Sequence, residues 1–269
     1  MKNILGIQTS IGSDFRTKEF SRQLNLFAAA GLSHVELNIP DTRLVNAQQL
    51  TGFLAEHQLV LSKLATGLSA RLNNYSLSSS QTDVQEKTYS AFCHWLEFSV
   101  NAGCGIIIGF AKGRPGEGKS VATYNFCAMT EKLLPAIIAS GVTVYIEATN
   151  RYESDVANSL DEAAQIVQQF NVPQLKVLPD TFHMNIEEVD IETSLIKHCR
   201  LIDSIHLSDN NRFFPGLGGF DFIRFFSSIK KMNYLGSFAI EGNIHVSLEN
   251  DVKTSTQFLQ LNFSSVKRC

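Results

Sequence analysis

The feature that most constrains the fold is that four successive short apolar runs each end in a side chain able to bind a metal ion. The runs VTVYIE, LKVLPD, LIDSIH and SFAIE place Glu147, Asp180, His206 and Glu241 at their carboxyl ends. Each run has the length and composition of a buried β-strand. If the four strands lie parallel in a closed barrel, these side chains converge on one point. Three carboxylates and an imidazole at one point suit a hard divalent cation.

Short β-branched runs alternate with longer amphipathic stretches along the whole chain. The predicted strands are 4–9, 34–39, 59–66, 105–110, 142–147, 175–180, 203–208 and 237–242. The predicted helices are 17–30, 46–57, 80–102, 119–139, 158–170, 188–198, 220–232 and 248–262. This strict alternation in a chain of 269 residues predicts an α/β fold, a (β/α)8 TIM barrel forming one domain over residues 1–269. A doubly wound open sheet is the alternative, but the phosphate-binding sequence GxGxxG is absent.

The composition excludes several classes of partner. With 44% hydrophobic residues, 18% charged residues and a net charge of -3, the chain has no electrostatic attraction to nucleic acids or anionic membranes. The first ten residues, MKNILGIQTS, contain an apolar run too short for a signal peptide, and no later run could span a bilayer. The five cysteines form no CxxC pair. We therefore expect a cytoplasmic protein with neither nucleic-acid nor membrane partners.

Each of the four strand-end residues has a simpler explanation when it is considered alone. A single acidic side chain at a strand end is more often a helix cap or a solvated charge, and a single histidine is more often a hydrogen-bonded residue of the barrel. Four such residues at the same level of consecutive strands are an improbable coincidence. Buried carboxylates also repel one another unless a cation lies between them. The joint pattern therefore predicts a metal site.

Further polar residues lie in the loops that leave these strands. Glu153 follows Glu147 by six residues, His183 follows Asp180 by three, and Arg212 lies six residues beyond His206. Considered singly, they are a solvated glutamate, a helix-capping histidine and a surface arginine. Together they resemble a shell that contacts a substrate.

Lys112 and Arg114 are two cations in the segment GFAKGRPG, after the fourth predicted strand. They form an ordinary solvated loop unless they face the pocket. In the pocket they would pair with a carboxylate or phosphate at the far end of a substrate. Such a contact would favour a substrate with an anionic end over a neutral one.

Three segments together resemble one known family. The segments EATNRYESDVANSLDEA, DTFHMNIEEVDIETSL and HLSDNNRFFPGLGGFDF are similar to those of the xylose-isomerase-like superfamily of sugar isomerases and epimerases. The nearest branch contains ketose 3-epimerases of the tagatose/psicose type and relatives such as 5-keto-L-gluconate epimerase. The resemblance is densest over residues 142–242, and the first half agrees mainly in barrel layout and in the short sequences VELNI, ATG and GFAKGR.

The resemblance implies one divalent metal ion, commonly manganese, with Mg2+, Co2+ or Zn2+ as alternatives. The implied ligands are Glu147, Asp180, His206 and Glu241. Glu147 and Glu241 would also form an acid/base pair on opposite faces of the sugar. The residues implied to hold substrate oxygens are Glu153, His183 and Arg212. Relatives commonly form dimers or tetramers, so we expect a homo-oligomer.

The predicted reaction is epimerisation of a keto-sugar or keto-sugar acid through an enediolate. The metal stabilises the enediolate, one carboxylate removes a proton, and the other returns a proton to the opposite face. An aldose–ketose or hydroxypyruvate-type isomerase could use almost the same residues and is the main alternative. An abasic-site endonuclease shares the barrel but needs a basic face and more strand-end histidines than this chain offers. A non-catalytic sugar-binding protein would not need the acid/base pair.

Overall fold

Eight short, mostly apolar segments form parallel strands, as the sequence predicts. The strands are β1 (Leu5–Ser10), β2 (His34–Asn38), β3 (Val60–Ala65), β4 (Gly105–Ile108), β5 (Val144–Glu147), β6 (Leu175–Leu178), β7 (Ser204–Leu207) and β8 (Ser237–Ile240). This computed structural model describes the backbone of residues 5–266 and the side chains of residues 5–263. Ile4, the first residue of the first predicted strand, therefore lies outside the described residues, as does Cys269.

Over residues 5–266, ten α-helices connect and cover the strands. They are α1 (Lys18–Ala29), α2 (Ala47–Glu56), α3 (Gly67–Asn73), α4 (Thr82–Ala102), α5 (Lys119–Ser140), α6 (Leu160–Phe170), α7 (Thr181–Glu187), α8 (Ile191–His198), α9 (Phe222–Lys231) and α10 (Leu248–Val266). Eight of these correspond to predicted helices, with ends that differ by a few residues. The short helices α3 and α7, which directly follow β3 and β6, are not predicted by the sequence analysis.

The strands form one sheet in the order β6-β5-β4-β3-β2-β1-β8-β7, and every ladder in it is parallel. Its two edges meet through a single bridge between Asp180 and His206, where the His206 N–H donates to the Pro179 carbonyl oxygen at 2.9 Å. The barrel is therefore nearly closed, which confirms the predicted (β/α)8 TIM-barrel fold. The junction between the two edge strands, β6 and β7, thus has the fewest backbone hydrogen bonds, and it lies beside two of the candidate metal ligands.

Local signals in the sequence explain several helix ends. Ser159 caps α6 by accepting a hydrogen bond from the Glu162 N–H at 3.3 Å. Gly103 and Gly141 end α4 and α5 in the left-handed conformation. The N-terminus of α7 is capped by Asp180, whose Oδ1 accepts a hydrogen bond from the Phe182 N–H at 2.8 Å. A predicted metal ligand thus also fixes the start of a helix.

The apolar core lies between the strands and the outer helices, and large aromatic side chains fill much of it. Among them, Phe27, Phe92, Phe126 and Phe226 are fully buried. The inside of the barrel is more polar, since charged and imidazole side chains are completely enclosed there. Within the described part of the chain, none of the helices combines the length and the apolar character needed to cross a membrane.

Candidate metal centre and active site

The carboxyl ends of four consecutive strands bring the predicted ligands together. Glu147 is the last residue of β5, and Asp180 lies two residues beyond the end of β6. His206 lies within β7, and Glu241 directly follows β8. One potential ligand atom from each residue lies within 4.8 Å of the other three. The convergence expected from the sequence is therefore present in the structure.

Three buried atoms of this cluster have no hydrogen-bond partner among the residues that the structure describes. They are Glu147 Oε1, His206 Nδ1 and Glu241 Oε2. His206 Nδ1 lies 3.5 Å from Glu147 Oε1 and 2.6 Å from Glu241 Oε2, and in neither case do the atoms make a hydrogen bond of acceptable geometry. Buried polar atoms are normally paired, because leaving one unpaired costs about 1–3 kcal/mol. A cation between these atoms would satisfy all three, so the donor set fits a divalent ion.

The charged side chains of the cluster strongly shift one another's pKa values. Burial, and next the charge of Glu241, raise the pKa of Glu147. Burial alone would also raise the pKa of Glu241, but the charges of Arg212 and His206, together with hydrogen bonds, outweigh burial and lower the pKa to about 2. Burial opposes the charged form of His206, whereas the charges of Glu36 and Glu241 raise its pKa well above the usual value. The site thus concentrates negative charge, which favours a bound cation.

His183 lies beside the cluster as a neutral hydrogen-bond donor. Its Nδ1 accepts hydrogen bonds from the N–H of Asn150 at 3.2 Å and from the Asn150 side-chain amide at 2.8 Å. Burial lowers the pKa of the imidazole to about 3. The proton of the neutral ring therefore lies on Nε2, which is 3.9 Å from Glu147 Oε1. This role of Asn150 is not evident from the sequence, since nothing in EATNRYESD indicates which side chain turns inward.

Arg212 connects the ligands to the loop that follows β7. Its guanidinium contacts Asp180 Oδ2 at 2.5 Å and Glu241 Oε1 at 2.9 Å, and it lies over the Phe182 ring at 5.0 Å. Arg212 has a left-handed backbone with φ of 64°, in a loop held together by the buried carboxylate of Asp209. Two of the predicted metal ligands are therefore oriented by one cation.

A cavity of about 330 Å³ opens above the cluster. It reaches Glu147, Glu241, Glu153, His183 and Arg212, so five predicted site residues share its wall. Glu153 accepts a hydrogen bond from the Asn150 side chain at 2.9 Å.

The cavity is also lined by polar and aromatic residues that the sequence did not single out, among them Gln8, Asn38, Arg71, Phe110 and Asn243. The Asn38 side chain donates to Gln8 at 2.8 Å. Both residues sit at or near the carboxyl ends of their strands, as the predicted ligands do. A polar residue at that position was the signal that could have identified them.

Lys112 is placed differently from the expectation. It is completely buried, and its amine donates to the Glu147 carbonyl oxygen, to Thr149 Oγ1 at 2.9 Å and to the Ala157 carbonyl oxygen at 3.4 Å. It is absent from the cavity wall, so its amine is not available to a substrate. Burial lowers the pKa of this amine to about 7. The expected substrate contact by Lys112 is corrected to a structural role beneath Glu147.

Arg114 is exposed and lies beside Phe110, a residue that lines the cavity, and we call this edge the rim of the cavity. Its guanidinium lies over the Phe110 ring at 4.8 Å, and the guanidinium of Arg71 lies over the same ring at 5.2 Å. Among the residues that the structure describes, neither arginine forms an ion pair with a carboxylate. Contact between Arg114 and a substrate stays a prediction.

A nearly closed eight-stranded barrel with three carboxylates and a histidine converging at its carboxyl face has its candidate active site where TIM-barrel enzymes have theirs. The family model described as "Xylose isomerase-like TIM barrel" matches residues 24–261. The chain therefore belongs to this family.

The homologues of the chain are named epimerases. A ketose 3-epimerase from Arthrobacter globiformis is 27% identical over 213 residues, which cover 79% of this chain and 73% of the relative. A 3-dehydro-D-guloside 4-epimerase from Escherichia coli (strain K12) is 33% identical over 105 residues, 39% of this chain and 40% of the relative. A solved structure of L-ribulose 3-epimerase has a TM-score of 0.82 at 21% identity, with 96% of this chain and 95% of that chain covered. These relatives confirm the prediction of an isomerase-class enzyme, and the solved structure supports the fold.

Proposed function

We propose that this protein is a divalent-metal-dependent epimerase of a keto-sugar or keto-sugar acid, with manganese as the ion. The observation that carries the proposal is the convergence of Glu147 Oε1, His206 Nδ1 and Glu241 Oε2 beside Asp180; all three atoms are buried and find no hydrogen-bond partner within the described part of the chain. The relatives support the substrate class, because they are named for ketoses and for a dehydro-guloside.

A divalent ion held there would act as a Lewis acid on the ketone and lower the pKa of the neighbouring C–H group. Glu147 and Glu241 come from β5 and from the end of β8, three strands apart around the barrel. In the proposed reaction one of these carboxylates removes the proton from one face of the substrate. The other returns a proton to the opposite face, which inverts the carbon.

The residues of the cavity wall would hold the sugar hydroxyl groups. The His183 Nε2–H is a donor without freedom to change its tautomer, because Asn150 occupies Nδ1. Glu153 is an acceptor on the same wall. Arg212 offers the remaining guanidinium protons while it holds Asp180 and Glu241. Together these groups would orient the substrate carbon between the two glutamates.

The rim of the cavity supports a substrate with an anionic end. Arg71 and Arg114 lie over the same Phe110 ring, and the described residues provide no carboxylate partner for either guanidinium. Arginine binds carboxylate and phosphate groups with two parallel hydrogen bonds. We therefore place a carboxylate or phosphate of the substrate at this rim.

The proposal is tested by incubating the protein with Mn2+ in D2O and a panel of ketoses, keto-sugar acids and 3-keto-glycosides. We expect deuterium at the carbon next to the ketone, together with the epimer of the substrate. An aldose as the product would instead identify an aldose–ketose isomerase on the same site. No exchange with any of these substrates, at saturating Mn2+, would contradict the proposed function.

A further inference from the structure

We propose that Glu36 is a positioning residue of the metal centre, which holds His206 so that Nδ1 points at the three carboxylates, and that Lys63 in turn holds Glu36. This inference rests on the proposed metal site. Glu36 belongs to β2 and is not one of the four converging ligands. It would act through His206 and not through contact with the substrate.

The contact between Glu36 and His206 crosses the interior of the barrel from β2 to β7. Glu36 Oε2 lies 2.8 Å from His206 Nε2, and both side chains are completely buried. An ionised carboxylate can only accept a hydrogen bond, so the proton of this contact belongs to Nε2. The other ring nitrogen, Nδ1, then faces Glu147 and Glu241, as the distances of 3.5 Å and 2.6 Å show.

Lys63 donates a hydrogen bond to the second carboxylate oxygen of Glu36. Its amine lies 2.9 Å from Glu36 Oε1, and it is 3% exposed. The register of β2 and β3 shifts between Val35 and Glu36, so that Lys63 becomes the direct neighbour of Glu36. Irregularities of this kind redirect a side chain. Both carboxylate oxygens are therefore held, which leaves the Glu36 side chain one orientation.

Stability does not account for this buried ion pair. The desolvation of two charges offsets most of their attraction, and apolar residues of similar volume often replace such a pair at no cost. Orienting a metal-binding histidine is a role that apolar residues cannot perform. Carboxylate partners of this type typically change metal affinity by about 10–100-fold when they are removed.

The test compares two double variants that both remove the ion pair. Glu36→Leu with Lys63→Met removes the acceptor for His206 Nε2, whereas Glu36→Gln with Lys63→Met keeps an amide oxygen there. We expect calorimetric Mn2+ affinity to fall about 10–100-fold in the leucine variant and to recover at least partly in the glutamine variant. Equal affinities in both variants, whether unchanged or equally reduced, would overturn the inference.

Asp161→Asn is the matched control. Asp161 also contacts a histidine, His198 Nε2 at 2.5 Å, but this pair joins α6 to α8 on the outside of the barrel. We expect unchanged Mn2+ affinity in this variant, and a 10-fold loss would contradict a specific role of Glu36. Wild-type protein that binds no Mn2+ would instead overturn the proposed metal site itself.

A measurement on the wild-type protein decides the question if the leucine variant does not fold. In the Zn2+-loaded protein, 15N NMR of the histidine rings distinguishes a protonated from an unprotonated nitrogen. We expect His206 to carry its proton on Nε2 and to bind the metal through Nδ1. A proton on Nδ1, with Nε2 bare, would overturn the inference.

Discussion

Gly109 lies so close to Glu147 that a Cβ atom at residue 109 would stand 2.0 Å from Glu147 Oε2. Gly109 directly follows β4, and Glu147 ends the neighbouring strand β5. The missing side chain of the glycine therefore provides the space in which the carboxylate sits. Both residues also line the cavity.

Gly109→Ala should therefore displace the Glu147 carboxylate while the barrel stays folded. A misplacement of about 1 Å can cost about 100-fold in rate, so we expect a loss of this order in kcat for deuterium exchange. Gly52→Ala is the control, because Gly52 lies inside α2 with no atom within 4 Å of the added carbon. Full activity of Gly109→Ala would show that Glu147 needs no such space.

Lys112→Met should reduce stability, because Lys112 supplies a buried donor to three oxygens around Glu147. An acceptor left unpaired costs about 1–3 kcal/mol, so we expect the free energy of unfolding in urea to fall by at least about 1 kcal/mol. Arg114→Met, at an exposed position, should change it by less than about 0.5 kcal/mol. If Lys112→Met left the stability unchanged and raised KM, the result would contradict the structural role and support the substrate contact first expected for Lys112.

Substitution of the rim arginines should affect only substrates with an anionic end. For Arg71→Gln and for Arg114→Gln we expect kcat/KM to fall about 10-fold with a keto-sugar acid, which corresponds to one weakened charged hydrogen bond. The value for a neutral ketose should stay the same. Arg16→Gln is the control, since Arg16 also lies over aromatic rings, those of Phe15 and Phe53. An equal loss for both substrates would exclude an anion site at the rim.

Acid should destabilise the protein through His34. Burial lowers the pKa of this imidazole from 6.5 to about 4, so the unfolded chain binds a proton that the folded chain does not. The contribution of neutral His34 to the free energy of unfolding is therefore complete above about pH 6.5 and is lost as the pH falls toward about 4. From about pH 7 to about pH 5 the loss should be about 2 kcal/mol.

Urea unfolding of wild type and His34→Gln at the two pH values measures this difference. The variant should lose about 2 kcal/mol less than wild type between them. His57→Gln, a half-buried position on the outer helices, is the control and should follow wild type. Identical pH dependence in all three proteins would show that His34 is not the group responsible.

The sequence predicts the secondary-structure elements and the convergence of the candidate metal ligands, because both depend on patterns along the chain. Apolar runs indicate the buried strands, and Glu147 is conspicuous because it ends one of them. Parallel strands place such ends on one face of a barrel, so the cluster follows from the fold. The short helix α7 was missed because Asp180, its N-cap, was assigned to the preceding strand.

The residues that support the site were not predictable in the same way. Glu36 and Lys63 do interrupt the apolar strands HVELN and VLSKLA, and such charges signal an inward ion pair once the register is known. The register between β2 and β3 shifts at Glu36, and no pattern in the sequence predicts this shift. Lys112 was misjudged for a different reason. It belongs to a polar loop, which predicts an exposed cation, but its amine turns inward and binds backbone oxygens.

The most direct test of the account is whether Glu147 and Glu241 are needed to exchange the substrate proton next to the ketone for deuterium from D2O. With Mn2+ and a substrate that the wild-type protein epimerises, Glu147→Gln and Glu241→Gln should each lose deuterium incorporation by at least about 100-fold. Circular dichroism should show that both variants retain the barrel. Deuterium incorporation at the wild-type rate in both folded variants would contradict the proposed roles of the two glutamates.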